Sequence, residues 1–208
     1  DPMEGRWQYF YDASGNLTQT VDPLGRSEST QWLEHWSLPR STMDPAGNSW
    51  QYRYDPRGNC IGETDPQGNV TQYRYDHRGQ PTEIIDPAGH SRTLRWSDLG
   101  LLLQETDCSG HITRYRYDRN GHLLSVTDAL SERTEFEYDS DGLLLGVTRP
   151  DGTREGYRYD EAGRLTQAID PAGGITAYRF DARGVLLQSS DPQGRRLGYQ
   201  VDPYGRLL

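Results

Sequence analysis

The stretch Asp65-Pro66-Gln67-Gly68-Asn69-Val70-Thr71-Gln72-Tyr73-Arg74-Tyr75-Asp76-His77-Arg78-Gly79 decides the fold, because it holds two turn signals with an alternating segment between them. In Asp65-Pro66-Gln67-Gly68 the aspartate can hydrogen-bond the backbone two residues on. Proline presets φ at the second position, and glycine accepts the left-handed conformation that closes the loop. Asp76-His77-Arg78-Gly79 is the same device without proline. Between them, Thr71, Tyr73 and Tyr75 fall on one side of an extended strand and Val70, Gln72 and Arg74 on the other. No segment of the chain has a 3.6-residue apolar period, so strands are expected throughout.

Outward from this stretch the pattern repeats. An aromatic-Asp pair recurs as Tyr11-Asp12, Tyr54-Asp55, Tyr75-Asp76, Tyr117-Asp118, Tyr138-Asp139, Tyr159-Asp160 and Phe180-Asp181. Degenerate copies stand at Leu33-Glu34, Trp96-Ser97 and Val201-Asp202, and from Leu33 onward every step is 21 residues. A second series, usually Asp-Pro, runs through Asp22, Asp44, Asp65, Asp86, Asp107, Asp128, Asp170 and Asp191, with Arg149 in the missing slot. A fixed period of this kind overrides residue-level propensity. It predicts an antiparallel meander of about twenty strands, each about 23 Å long at roughly 3.3 Å per residue.

Composition agrees. The 208 residues include 31 acidic and 22 basic side chains, for a net charge of −9, and every basic residue is arginine. The sequence pI is near 5.0 and the mean hydropathy is −0.92, which excludes an integral membrane chain built of apolar helices. No basic stretch tracks phosphates, so nucleic acid is not an expected partner. The apolar fraction is 33 %; counted with glycine in place of tyrosine it still falls well short of the roughly 45–50 % of a globular domain. The core is therefore expected to be thin, while 14 Tyr and 5 Trp argue against disorder. Cys60 and Cys108 are too few for a disulfide framework, and residues 1–30 show no basic start followed by an apolar run, hence no secretory signal.

The unit Thr-x-Tyr-x-Tyr-Asp-x-x-Gly-x-Leu-x-x-x-x-Asp-Pro-x-Gly resembles the Rhs or YD repeat of bacterial Rhs polymorphic toxins, insecticidal toxin-complex proteins and eukaryotic teneurins. The resemblance covers residues 1–208 as one array of about ten units. It implies an all-β fold of tandem 21-residue hairpins, in a continuous twisted antiparallel sheet that spirals as part of a hollow shell. In bacterial members that shell encloses a toxin made as the C-terminal part of the same polypeptide. The implied partners are the remaining repeats, that toxin and components of a secretion system. The implied location is that of a secreted or delivered effector made in the cytoplasm. The self-cleaving core that follows the array in the family does not appear, and the chain runs from Asp1-Pro2 to Leu207-Leu208, so it reads as a stretch excised from a longer shell.

Tyr54, Asp55, Gly58, Asp65, Pro66, Gly68, Tyr75, Asp76, Gly79, Tyr117, Asp118, Gly121, Tyr159, Asp160 and Gly163 are the positions expected to hold the repeat together. Tyrosines within strands should interlock with apolar residues two places after each turn glycine, such as Leu17, Cys60, Pro81, Leu123, Leu144, Leu165 and Leu207. Arg53, Arg74, Arg116, Arg158 and Arg179, broken by Glu137, should line the opposite, wet face. Two three-residue loops keep positional parity, so an odd unit of 21 residues would turn successive tyrosine rows to opposite faces. One even loop or one β-bulge per repeat is therefore expected, keeping Tyr54, Tyr75, Tyr117, Tyr138 and Tyr159 on a common face.

Chemistry is sparse. Nearly every aspartate falls on a turn. His90 and His111 share a slot on neighbouring repeats but lack companion metal ligands, and Cys60 and Cys108 fill a leucine and a proline slot with no paired histidine. Glycines follow hairpin spacing and form no phosphate loop. The expectation is no enzyme activity, no cofactor and no metal. Two readings remain, a wall segment of an encapsulating shell and a carbohydrate-binding or adhesion repeat. Aromatics placed inside strands favour the wall. Its net charge of −9 suggests diffuse attraction to a basic cargo, and the end strands near Trp7 to Phe10 and Tyr199 to Leu208 should be open edges.

Overall fold

The computed structural model describes residues 6–200. Val201-Asp202, Leu207 and most of the expected edge at Tyr199 to Leu208 lie outside the described residues. The chain divides into two compact units, residues 1–110 and 111–208. In the first unit the strands are β1 Gln8–Tyr11, β2 Leu17–Val21, β3 Ser27–Leu33, β4 Trp36–Met43 and β5 Ser49–Tyr54, then β6 Cys60–Thr64, β7 Val70–Tyr75, β8 Pro81–Ile85, β9 Ser91–Trp96 and β10 Leu102–Thr106. The second holds β11 Ile112–Tyr117, β12 Leu123–Thr127, β13 Arg133–Tyr138, β14 Leu144–Thr148, β15 Arg154–Tyr159, β16 Leu165–Ile169, β17 Ile175–Phe180, β18 Leu186–Ser190 and β19 Arg196–Gly198. No described segment is helical.

Within each unit every strand pairs antiparallel with the next in sequence, which is the meander the period predicts. Most strands are five or six residues long, shorter than expected, because the residue after each turn glycine belongs to the turn. At Asp65 the backbone N–H donates to the Asn69 carbonyl at 3.0 Å, while Gly68 N–H donates to the Asp65 carbonyl at 3.0 Å. The aromatic-Asp turn at Asp55 closes in the same way, through Asn59 and Gly58.

Parity is corrected by a bulge. Tyr54 faces Cys60 but Arg53 faces Gly62, so Ile61 is the extra residue, and the same shift recurs beside Tyr11, Tyr75, Tyr117, Tyr138, Tyr159 and Phe180. With one extra residue per repeat, Tyr52 pairs with Glu63 and Glu63 with Thr71, which places Tyr52, Tyr54, Tyr73 and Tyr75 on one face. In the second unit Tyr115–Val126–Thr134 and Phe136–Val147–Glu155 put Tyr117, Tyr138 and Tyr159 on one face likewise.

The sheet stands without a core beneath it. No apolar side chain among the described residues is fully buried; Ser125, 1 % exposed, is buried, and so are Gly62 and Gly146, each at the centre of its strand. The accessible surface is 14684 Å², about half again the roughly 9,800 Å² of a compact globule of this mass. The tyrosine face is half-buried by its own rings, and the arginine face is exposed, with Arg53, Arg74, Arg116, Arg158 and Arg179 all in solvent. Strand β1 pairs with β2 and exposes Trp7, Tyr9, Phe10 and Tyr11.

Turn glycines hold φ between 75° and 89°, and Ser131 fills one glycine slot at φ 65°. A side chain in that region costs roughly 1–2 kcal/mol. Ser131→Gly should therefore stabilise the protein by about 1 kcal/mol in a urea titration. Gly68 has open space around a added Cβ, so Gly68→Ala should cost only about 1–2 kcal/mol of backbone strain. Gly58→Ala should cost more, since its Cβ would meet the Trp36 ring at 2.5 Å.

Candidate functional site

Fourteen of the fifteen positions expected to hold the repeat fall into two devices, an aspartate clasp in the turn and an aromatic cap on the bulge; the fifteenth, Tyr117, stands half-buried at the corresponding place on its strand. In the clasp, Asp65 Oδ1 accepts the backbone N–H groups of Gln67 at 2.9 Å and Asn69 at 2.8 Å, and Asp65 Oδ2 accepts the Asn69 side-chain amide at 2.8 Å. Pro66 and Gly68 lie inside this ring of bonds. Asp55 is clasped alike by Arg57 and Asn59, Asp76 by Arg78 and Gln80, Asp118 by Asn120 and His122, and Asp160 by Ala162 and Arg164. Gly58, Gly79, Gly121 and Gly163 take the left-handed conformation in those turns.

The fifth turn residue was missed in the sequence reading. Asn16, Asn48, Asn59 and Asn69, His90 and His122, and Arg26, Arg164 and Arg195 each donate or pair to the second oxygen of the turn aspartate. A column of nitrogen-bearing side chains directly after the glycine was the available signal. It accounts for His90, whose Nδ1 lies 3.0 Å from Asp86 Oδ2. Among the described residues no group of three or more His, Cys, Asp or Glu side chains is arranged to hold a metal ion. Cys60 and Cys108 are free thiols.

The cap joins one hairpin to the next. Tyr75 donates its hydroxyl to the Cys60 carbonyl at 2.7 Å, and Tyr54 and Tyr159 donate to the Pro39 and Leu144 carbonyls at 2.9 Å. Each acceptor belongs to the residue immediately before a bulge, 15 residues upstream of its donor. The β6–β7 ladder ends at Gly62, so the Cys60 carbonyl lies beyond it and takes the tyrosine instead. Burial pushes the hydroxyls of Tyr54, Tyr75 and Tyr117 above the usual tyrosine range.

Degenerate copies obey the same chemistry. At Trp96-Ser97 the indole Nε1 donates to the Pro81 carbonyl at 2.6 Å, and Ser97 Oγ accepts Leu99 N–H at 3.2 Å and Leu101 N–H at 3.0 Å. Trp32 likewise reaches the Leu17 carbonyl at 2.9 Å. Phe180 has no donor; there Arg164 lies 5.4 Å above the ring and bonds the Asp181 carbonyl at 2.9 Å. Where Arg149 replaces the turn aspartate, Asp151 accepts the Thr153 N–H at 2.9 Å.

These devices define a structural hairpin repeat, in which named side chains serve the backbone. The family described as RHS Repeat matches residues 38–70, 55–91, 96–133, 117–154, 138–177 and 159–196, more than half of the chain, and the protein belongs to that family. No curated protein matches the chain. Its fold is similar to crystal structures of TcdB2-TccC3-Cdc42, at a TM-score of 0.61 and 16 % identity over 97 % of this chain, and of TcdB2-TccC3 without its hypervariable C-terminal region, at 0.61 and 17 % over 97 %. The Photorhabdus luminescens Tc holotoxin pore matches at 0.59 and 13 % over 98 %. The chain spans 14 % of the first two of those chains and 18 % of the third. At these identities the likeness is one of fold.

Removing one cap hydroxyl should be measurable because the carbonyl beneath it has no ladder partner. Tyr75→Phe should cost about 1 kcal/mol in urea unfolding, whereas Arg74→Ala, which loses an exposed pair to Glu83, should cost almost nothing. The clasps also fix the acid response. Side-chain amides of Asn59 and Asn69 hold Asp55 and Asp65 below the ordinary carboxyl value of 3.8, with backbone N–H groups adding to them. A depressed folded value gives stability that is complete well above 3.8 and lost as pH falls below it. The melting temperature should stay level from neutral pH to mild acid and drop below 3.8, and Asn48, Asn59 and Asn69 changed together to alanine should make that drop shallower.

Proposed function

We propose that this array is a length of wall in an Rhs-type cocoon that encloses a toxin polypeptide C-terminal to it on the same chain. The observation that carries the reading is a sheet one layer thick whose turns and bulges are bonded by side chains of its own repeats, so that it needs no second layer to stand. Such a sheet separates two aqueous spaces. The family membership and the fold shared with Tc toxin structures support the same reading. In the intact protein the partners are then further repeats, the enclosed polypeptide and the delivery machinery, and the whole travels as a secreted or delivered effector. The residues described serve the backbone, so the array itself acts as container and not as enzyme. A sugar-binding role would need ring faces free for stacking, whereas Tyr54, Tyr75 and Tyr159 are half-buried along the sheet with their hydroxyls on main-chain carbonyls.

The test uses the full-length protein that contains this array, exposed to protease with the array present or deleted. Survival of a C-terminal segment only when the array is present is the expected result. Equal digestion of both forms, with saturable sugar binding by the array, would replace the wall with a lectin-like module.

A further inference from the structure

In the second unit the charges are sorted by face. Pairing of Arg116 with Ser125, Ser125 with Glu135, Glu135 with Thr148 and Thr148 with Arg154 sets one side of the sheet. Arg158, paired with Gln167, and Arg179, paired with Gln188, continue that side. Its two strand glutamates are already engaged, Glu135 with Arg133 at 2.8 Å and Glu137 with Arg154 at 2.7 Å. Arg114, Arg116, Arg158 and Arg179 are exposed there and make no ion pair within the described residues. The unit's aspartates sit in the turns, at the ends of the strands. On the tyrosine side the one strand carboxylate, Glu155, is held by Arg149 at 2.6 Å. A chain of net charge −9 thus carries a cationic sheet face.

We propose that this arginine face of the second unit binds an acidic, extended segment of polypeptide. Guanidinium groups present planar forks that match carboxylates in pairs. Beside Arg158 and Arg179 stand the amides of Gln167 and Gln188, which can donate to and accept from a peptide main chain. Turn aspartates at both strand ends repel an acidic ligand from the rims, so it runs across the strands. Arg158 and Arg179 lie two strands apart and, since Arg158 aligns with Ala177 through Gln167, two residues out of line, about 12 Å at the usual strand spacing and rise, or roughly three to four residues of extended chain. A single-stranded nucleic acid fits less well. Every aromatic ring on strands β11 to β18 lies on the opposite face, leaving no stacking platform, and Glu137 interrupts the arginine row. The occupant's identity rests on the wall reading: in the intact protein the acidic segment is part of the enclosed polypeptide.

The experiment titrates the 208-residue chain into three fluorescent probes of equal length, a poly-glutamate peptide, a poly-lysine peptide and a single-stranded DNA. Anisotropy is read at low and at physiological salt. The glutamate peptide should bind saturably and more weakly with added salt, as expected for exposed charges. Arg158→Gln with Arg179→Gln should weaken it about tenfold, with an unchanged melting curve, and Arg119→Gln, in a turn, should leave it as it was. Binding that ignores the double substitution, tighter binding of the lysine peptide, or a preference for DNA would each overturn the proposal. Protease protection of a C-terminal segment alongside any of those results would leave the wall standing and remove only this face's role.

Discussion

The structure depends on reconciling an odd repeat with a two-sided strand. Side chains alternate with a period of two, so a 21-residue unit with two parity-keeping loops would present tyrosine and arginine rows to opposite sides in turn. A single bulge in each aromatic-Asp hairpin removes the conflict. It also interrupts the ladder, leaving the carbonyl before the bulge without a strand partner. The tyrosine hydroxyl from the following hairpin fills that vacancy, as Tyr75 does for Cys60. The defect that sets the register is therefore also the point at which neighbouring repeats are joined. Interactions of this range run from each repeat to the next, and they suit an architecture whose stability accumulates along the chain and not around a centre.

The clasp solves the other half of the problem. Five hydrogen bonds converge on Asp65 and its turn, two of them through the main chain and three through the carboxylate. A three-residue loop closed in this way has one geometry, so strands enter and leave each turn in fixed register. That matters more here than in a packed domain, since among the described residues no apolar side chain is fully buried to penalise a slip. Aspartate is favoured because a carboxylate accepts from several donors at once. Ser97 does the same with a hydroxyl at longer distances, 3.0 and 3.2 Å.

Much of this was legible in the residues. The spacing of Tyr54, Tyr75 and Tyr117 marked strands, turns and meander, and parity arithmetic demanded either an even loop or a bulge in each repeat. What it could not locate was the bulge itself, because Ile61, Thr82 and Leu145 are ordinary strand residues that carry no bulge signal such as glycine; the position is set by backbone geometry beside the turn. The cap was hidden for a related reason. Its donor and acceptor are 15 residues apart and the acceptor is a main-chain carbonyl, so no residue type marks it. Trp96 looked like a degenerate copy of tyrosine, yet an indole N–H and a phenol O–H are equivalent donors at that reach. Asn69 and His90 carry no role in the repeat pattern read from sequence, whereas both are the fifth member of a clasp.

Net charge does not say which sign a given face presents, and the bulge explains why. Aspartates are consumed by turns, where their carboxylates face backbone N–H groups at the ends of strands, while arginines are placed by parity on one face. A sum over the chain averages two regions that a ligand would meet separately, and beyond a screening length of about 8 Å at physiological salt the distant rim counts for little. Which sign a partner encounters is then decided by register. Deleting the extra residue in one hairpin would exchange the tyrosine and arginine sides for every strand beyond it. The feature that keeps the sheet continuous is thus the same one that keeps its chemistry sorted.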